Sequence, residues 1–467
     1  MKVKMDERRL HVMSLLGICL LTVCAFLPTF WNRFQMEWDD QWMVMNPLTV
    51  LYLDWHSLLR IFSTSFNGQW APLNQLLYTV LYNMFGYDAL PYHAASLLMH
   101  LVNVCLVYVI LCHLLEDCTD MSRERNYVIS VTATLLFAIH PLQMEAVAWI
   151  SASKILMSMT FYLLATYSFI RYLACGRRLY YVSTSFLYVC SYLSKENVMT
   201  FPLWAALLSV MYGQKLKKRQ FWATNLPLIA LTLLMSLHLV FKVAGYDEYV
   251  QGDVFPWWKR MLFCFYSLFN YLYYWLLPLR LDWMYPFPVG LHDSFPWWLF
   301  LYPVLLLVMV LAVWSQMKRR LVSCVLLFSL IHLLFVIHII VLPREGVIAD
   351  RYMYLPIVGM NVLLAFCLTG CHWVGIHRRI MAVLCAFVIV LLAVLTFSRT
   401  HDWHDSKMLK GEAACCMSNR GNQPVNLAVV SINKNKFYET TQVCCRCAGF
   451  CQPDSLELCP VREAVPA

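Results

Sequence analysis

Residues 10–40 read LHVMSLLGICLLTVCAFLPTFWNRFQMEWDD. From Leu10 to Phe30 the run stays apolar for roughly 20 residues, the length a helix needs to cross a hydrocarbon core of about 30 Å. Lys2, Lys4, Arg8 and Arg9 precede it, which sets the N-terminus on the cytoplasmic side. A cleaved signal sequence is the competing reading. The stretch is long for a signal core and has no clean small-x-small cleavage site, so it reads as an uncleaved first span. The run leads into Glu37-Trp38-Asp39-Asp40, an acidic pair at the outer boundary of the membrane. Adjacent acids are common in solvated loops, so their position draws interest rather than their charge.

The rest of the chain extends this pattern. It has 467 residues, 60% hydrophobic and only 13% charged, against about 45–50% apolar and about 25% charged for a soluble domain. The protein is therefore an integral membrane chain. Aromatic residues make up 15%, in keeping with rings gathered at membrane interfaces. The net charge of +9 does not call for a nucleic-acid partner. Its basic residues fall in short loops, as Lys215, Lys217, Lys218 and Arg219 do, and such clusters orient membrane proteins.

Apolar runs occur near 10–30, 91–115, 127–140, 155–174, 179–194, 198–212, 221–242, 259–279, 297–315, 321–342, 352–371 and 380–397. Consecutive cytoplasmic basic clusters must be separated by an even number of crossings. This makes the short run 127–140 cross and removes one of the three runs between Arg219 and Lys318. The run removed is 259–279, whose Tyr266, Tyr271, Tyr273, Tyr274 and Trp275 read as interfacial or re-entrant. About eleven spans remain, with the C-terminus outside. The outer side then holds the loop 31–90, where Leu51, Trp55, Leu58, Leu59, Phe62 and Phe66 recur at helical spacing, as do Leu73, Leu76, Leu77, Val80, Leu81, Met84 and Phe85. Two amphipathic helices on the membrane face would roof a cavity between spans. Packing on neighbouring helices fits the same pattern.

The polar residues crowd the outer rims. His140-Pro141 closes the third span, with Glu145 after it and Lys154 before the fourth span. A lone histidine there is usually interfacial packing; with Glu145 and Lys154 it becomes a candidate pocket residue. Lys195-Glu196 sits in a hairpin between two short spans. Charge drawn towards hydrocarbon needs a partner, which is either the pair itself or an anionic head group. Pro343-Arg344-Glu345 and Asp350-Arg351-Tyr352 form another outer rim. Arg351 suits a phosphodiester through its planar fork, although an arginine beside tyrosine also anchors spans. Walker A, G-x-G-x-x-G, H-E-x-x-H and G-x-S-x-G patterns are absent, which takes support from nucleotide-driven pumping and common hydrolysis.

After Arg399 the composition turns polar, and seven of the nineteen cysteines lie beyond residue 410. Seven is odd, so at least one would stay unpaired or bridge to another molecule. Cys444, Cys445, Cys447, Cys451 and Cys459 lack the paired C-x-x-C spacing of a zinc site. Residues 421–454 read as one degenerate tetratricopeptide-like repeat. A single repeat cannot bury its own face, so the tail is a docking stub or a truncated or frame-shifted end. The expected organisation is a membrane domain over 1–398 and a cysteine-rich outer tail over 399–467.

Taken together, Trp38-Asp39-Asp40 with Asn46-Pro47, Pro72-Leu73, Tyr92-His93 with Leu97-Leu98-Met99-His100, Phe137-Ala138-Ile139-His140-Pro141, Glu145-Ala146-Val147, Ser194-Lys195-Glu196 and Asp350-Arg351-Tyr352 with Tyr354-Leu355-Pro356 resemble the transmembrane-and-tetratricopeptide-repeat O-mannosyltransferase family and its bacterial relatives. The resemblance runs from about residue 10 to 454 and implies an all-α, GT-C-type helical bundle. It implies an inverting transferase that moves mannose or another hexose from a polyprenyl- or dolichyl-phosphate donor to a Ser/Thr hydroxyl of a protein. In that implied scheme Asp39 or Asp40 is the catalytic base, and Lys195 and Arg351 hold the donor phosphate. His140, Glu145, Lys154, Glu196 and His93 line the sugar and acceptor pocket. No metal ligands are assigned, and a divalent ion beside the acidic pair stays open. The active site would face the periplasm from a bacterial inner membrane, or alternatively the lumen of the endoplasmic reticulum. Ala71 stands where the family often has a basic or imidazole residue, and Ser151 to Ile155 lack the acidic and arginine residues of many bacterial relatives. A lipid-linked oligosaccharide transporter is the rival from another class, and it predicts two pseudo-symmetric halves that the loop pattern does not display. An inactive scaffold is the third.

Overall fold

The computed structural model describes residues 2–36, 38–65, 69–214, 216, 218–243, 255–290, 294–317, 319–339, 346–370, 376–406 and 409. Lys215, Lys217, Lys318, Phe66, the Pro343-Arg344-Glu345 rim, the cysteines of the tail and the repeat-like segment 421–454 lie outside them. The chain divides into one compact unit, Met1–Ser406, and a second, Lys407–Ala467.

The first unit is helical. Its helices are α1 (Lys2–Ala25), α2 (Asp40–Met43), α3 (Trp55–Ser63), α4 (Pro72–Phe85), α5 (Ala89–Cys118), α6 (Arg123–Ile139), α7 (Met144–Ala148) and α8 (Ser153–Cys175). They continue as α9 (Arg178–Ser194), α10 (Phe201–Met211), α11 (Arg219–Val243), α12 (Trp257–Leu276), α13 (Leu301–Met317), α14 (Arg320–Leu333), α15 (Pro356–Gly370) and α16 (Ile376–Asp402). Every apolar run read from the sequence holds one of them. Among the described residues, four stretches are long and apolar enough to cross a membrane: Asp6–Ala25, Ala89–Cys118, Arg219–Lys242 and Arg379–Asp402. A fifth arises if Arg123–Ile139 and Pro141–Ala148, bent by 53°, make one broken span. Polar residues lower the hydropathy of α8, and α9 is only 17 residues long. Ser158, Thr166, Thr184 and Ser191 are buried between helices, where Thr184 Oγ1 donates to Tyr180 O at 2.8 Å and Ser191 Oγ to Ser158 O at 2.7 Å.

Some boundaries differ from the sequence reading, for local reasons. The first span yields at Pro28, where a tight turn over Leu27–Trp31 replaces regular helix. The helix expected over 48–66 is only Trp55–Ser63. Asn46 Oδ1 accepts the Leu48 N–H at 2.8 Å, an Asx turn that holds the preceding residues out of helix. Asp54 then caps α3 by accepting the Ser57 N–H at 2.7 Å. The run 321–342 stops being helical at Leu333.

α4 buries a mixed face. Asn74, Tyr78, Thr79 and Leu81 are buried, whereas Met84 and Phe85 at its end are exposed. Its polar groups meet the start of α8: Asn74 Nδ2 donates to Ser153 Oγ at 3.1 Å and the Tyr78 hydroxyl to Ile150 O at 3.0 Å. Tyr78 and Leu81 also pack in an apolar cluster with Phe34, Val44, Tyr92 and Ile150.

Two further devices fix the packing around these helix ends. Tyr285–Pro286 pairs antiparallel with Gly346–Ile348, Tyr285 opposite Ile348. His100 and Asn103, one turn apart on α5, hold the Tyr354 hydroxyl at 2.8 and 3.0 Å. His100 also bonds Ala138 O at 3.1 Å, so the hydroxyl donates to one ring nitrogen and accepts from Asn103. α14 and α15 meet closely at Gly359, where a Cβ would lie 2.6 Å from Val325 O.

Candidate active site

The acidic pair is split by its surroundings. Asp40 opens α2 and is fully buried. Its Oδ2 accepts the backbone N–H of Gln35 and its Oδ1 that of Ser151, each at 2.8 Å. Burial pushes its carboxyl up to about 7 against those two bonds, with Asp39 adding to the rise and Lys154 opposing it. Asp39 is half-buried, and only its backbone carbonyl is committed, to the N–H groups of Trp42 and Met43 at 3.2 and 2.7 Å. Among the described residues no donor is hydrogen-bonded to its carboxylate. Asp40 is thus a pin between two chain segments, and Asp39 is the member of the pair whose carboxylate is not tied down among the described residues. The sequence treated the two as equivalent.

Cations face that carboxylate. Asp39 contributes to the electrostatic field at both Lys154 and Arg351, and Lys154 also senses Lys195, Glu196 and Arg351. Lys154 is buried at the start of α8 and donates to Gln69 Oε1 at 2.6 Å. Lys195 pairs with Glu196 at 3.4 Å in the hairpin between α9 and α10. Burial works against Glu196, yet Lys195 beside it holds its carboxyl below the usual range.

Arg351 lies in a tight turn, Asp350–Met353. Glu145 takes it at both ends: one carboxylate oxygen pairs with the guanidinium, and the other accepts the Arg351 N–H at 2.8 Å. The guanidinium also lies over Trp149 at 5.4 Å and Tyr352 at 5.0 Å. Trp149 is 6.0 Å from Trp38, which meets Trp283 edge-on at 4.6 Å. Apolar ring surface beside the Arg351 guanidinium strengthens the electrostatic interactions it makes. Asp350 accepts from the Tyr285 hydroxyl at 2.7 Å and pairs with Arg399 at 3.8 Å. Burial raises the Asp350 carboxyl above its usual range against Arg399, with Glu145 adding to the rise.

Asp39, Asp40, Glu145, Lys154, Lys195, Glu196 and Arg351 therefore act on one another electrostatically as one charged group, although Asp39 and Arg351 are 312 positions apart in sequence (351 − 39). The two histidines stand outside it. His140 Nδ1 accepts the Leu142 N–H at 3.2 Å and its Nε2 bonds Trp275 O at 3.0 Å. Both ring nitrogens are spent on capping a turn, the packing role the sequence reading set against a pocket role. His93 is buried on α5, with no hydrogen-bond partner for either ring nitrogen among the described residues. Gln35, Gln69, Trp149, Asp350 and Arg399 were not singled out as site residues from sequence. Only Asp350 had a signal, as the neighbour of Arg351.

No family model matches the chain. A protein O-mannosyl-transferase of Caenorhabditis elegans is 26% identical over 427 residues, 86% of this chain and 57% of that protein. The Drosophila melanogaster protein O-mannosyl-transferase Tmtc1 is 31% identical over 145 residues, 31% of this chain and 16% of that protein. The chain is similar to both proteins. It spans just over half the length of the nematode relative. The crystal structure of ArnT from Cupriavidus metallidurans bound to undecaprenyl phosphate aligns over 88% of this chain and 72% of ArnT, at 12% identity and a TM-score of 0.46.

Proposed function

We propose that this protein is a membrane glycosyltransferase that moves a sugar, mannose by its relatives' names, from a polyprenyl or dolichyl phosphate to a Ser/Thr hydroxyl of a protein outside the cytoplasm. The observation that carries the reading is the Asp39 carboxylate, without a hydrogen bond among the described residues, within electrostatic reach of Lys154 and of an Arg351 held by Glu145 over Trp149. Asp39 removes the proton from the acceptor hydroxyl as its oxygen attacks the anomeric carbon. The bond from that carbon to the phosphate oxygen breaks, and the lipid phosphate leaves with both electrons. Arg351, with Glu145 occupying part of its fork, keeps N–H groups for the phosphate oxygens. Lys154 and Lys195 meet the negative charge that builds there. A single displacement inverts the anomeric centre. Ionic grip on a leaving phosphate without a nucleotide is also consistent with the absence of a Walker A loop.

The test uses the full chain in detergent micelles with radiolabelled dolichyl phosphate mannose and a Ser/Thr-rich peptide. Expected is a mannosyl peptide whose anomeric configuration is opposite to that of the donor. A labelled lipid that stays intact under all conditions, or a product of retained configuration, overturns the proposal.

A further inference from the structure

The segment at the outer end of the last long helix is bonded to both halves of the charged cluster. On one side it meets the chain just before the acidic pair. Asn32 Nδ2 donates to Thr400 O at 3.0 Å, the Arg33 N–H to His404 O at 2.8 Å, and Gln35 Nε2 to Trp403 O at 2.7 Å. Ser406 Oγ donates back to Gln35 Oε1 at 3.2 Å. Gln35 is buried, and its own N–H is one of the two that hold Asp40. On the other side Arg399 pairs with Asp350, the residue before Arg351. Between the two, Trp403 is buried 5.9 Å from Trp149, the ring beneath the Arg351 guanidinium.

We infer that residues 399–406 are a clamp holding the turn that carries Asp39 in register with the turn that carries Arg351, with Gln35 and Arg399 as its positioning residues. The inference rests on the proposed transferase reading and extends it to groups that touch no substrate. The physical argument is one of reach. A base and a phosphate-binding arginine on segments so distant in sequence need a common mechanical reference, and a misplacement of about 1 Å costs about 100-fold in rate. The bonds from 399–406 reach Asp350, the neighbour of Arg351, and Gln35, whose N–H holds Asp40, the neighbour of Asp39. Neither Gln35 nor Arg399 is hydrogen-bonded or ion-paired to Asp39 or Arg351 themselves.

Gln35→Ala should lower kcat about tenfold while KM for dolichyl phosphate mannose changes less than about twofold, because the base moves and the phosphate grip stays. Arg399→Met should instead raise KM for that lipid, and Arg399→Lys should restore most of it. Amide exchange of the full chain in Ser406→Ala, which loses only a hydroxyl, should rise both in peptides covering 33–40 and in those covering 349–352. Exchange confined to the 33–40 side, or none at all, overturns the clamp whatever the enzyme assays give. If Gln35→Ala is not recovered as monodisperse protein, Ser406→Ala carries the kcat test with a smaller expected drop. Full turnover in Asp39→Asn run alongside would sink the transferase reading. An inactive Asp39→Asn beside a Gln35→Ala of unchanged kcat would sink the clamp alone.

Discussion

Glu145→Gln is the perturbation that most clearly separates orientation from attraction in this site. Glu145 uses both oxygens on one residue, the first on the Arg351 guanidinium and the second on the Arg351 backbone N–H at 2.8 Å. Glutamine keeps one acceptor and turns an NH2 towards the remaining donor. The loss of one hydrogen bond to a charged group costs about 1.5–3 kcal/mol. Breaking a buried ion pair generally costs about 3–5 kcal/mol. The Arg351 side chain is 25% exposed, however, against 4% for Glu145, and it retains its stacking on Trp149 and Tyr352. Water and rings thus offset part of the penalty, which leaves about 2–3 kcal/mol. That is a factor of roughly 30 to 150 in the balance between seated and displaced Arg351. The site meanwhile gains one unit of positive charge, so lipid phosphate should bind no more weakly than to wild type. We expect a lower melting temperature in detergent, an unchanged or tighter Kd for dolichyl phosphate, and kcat reduced at least tenfold. Wild-type kcat with an unchanged melt would refute the idea that Glu145 seats Arg351.

Three further outcomes follow from particular residues. Burial lifts Asp40 from an ordinary 3.8 to about 7, so between those values the native state holds a proton that the unfolded chain has released. The contribution of this group to stability therefore falls as pH rises through that window. Turnover moves the other way, dropping as pH falls through about 7 because the protonated pin gives up an N–H bond; a kcat/KM profile flat from about pH 5 to about pH 8 would contradict this. Gly359→Ala forces a methyl against Val325 O and Ser329, and a thermal melt should register a loss of about 1–3 kcal/mol. Lys154→Met removes the buried cation held by Gln69; KM for the labelled lipid should rise about tenfold with the fold intact by size exclusion, and no change in KM would remove Lys154 from the phosphate site.

Much of the architecture was legible because a membrane imposes a coarse rule. Helices must be apolar and about 20 residues long, and each apolar run of this sequence holds a helix. Charges in such surroundings stand out, so Asp39, Glu145, Lys154, Lys195 and Arg351 could be picked from sequence. What could not be read is which of two neighbouring acids is free. That depends on the Ser151 N–H, 111 residues away from Asp40, and a backbone donor leaves no trace in residue identity. The same holds for Gln35, whose partner Trp403 O is 368 residues distant, and for Asp350, reached by Tyr285 through a short strand pair. His140 was equally ambiguous, because a histidine before proline at a span end looks the same whether it caps a turn or faces a ligand.

The central claim is that Asp39 performs proton removal while Asp40 only holds the turn. The direct measurement is single-turnover release of label from dolichyl phosphate mannose by Asp39→Asn and Asp40→Asn, each verified as folded by size exclusion. The account predicts that Asp39→Asn loses about 100-fold or more in the chemical step at every pH, whereas Asp40→Asn keeps measurable turnover and loses the fall in rate below about pH 7. Full activity in Asp39→Asn, or an inert Asp40→Asn beside it, would contradict the account.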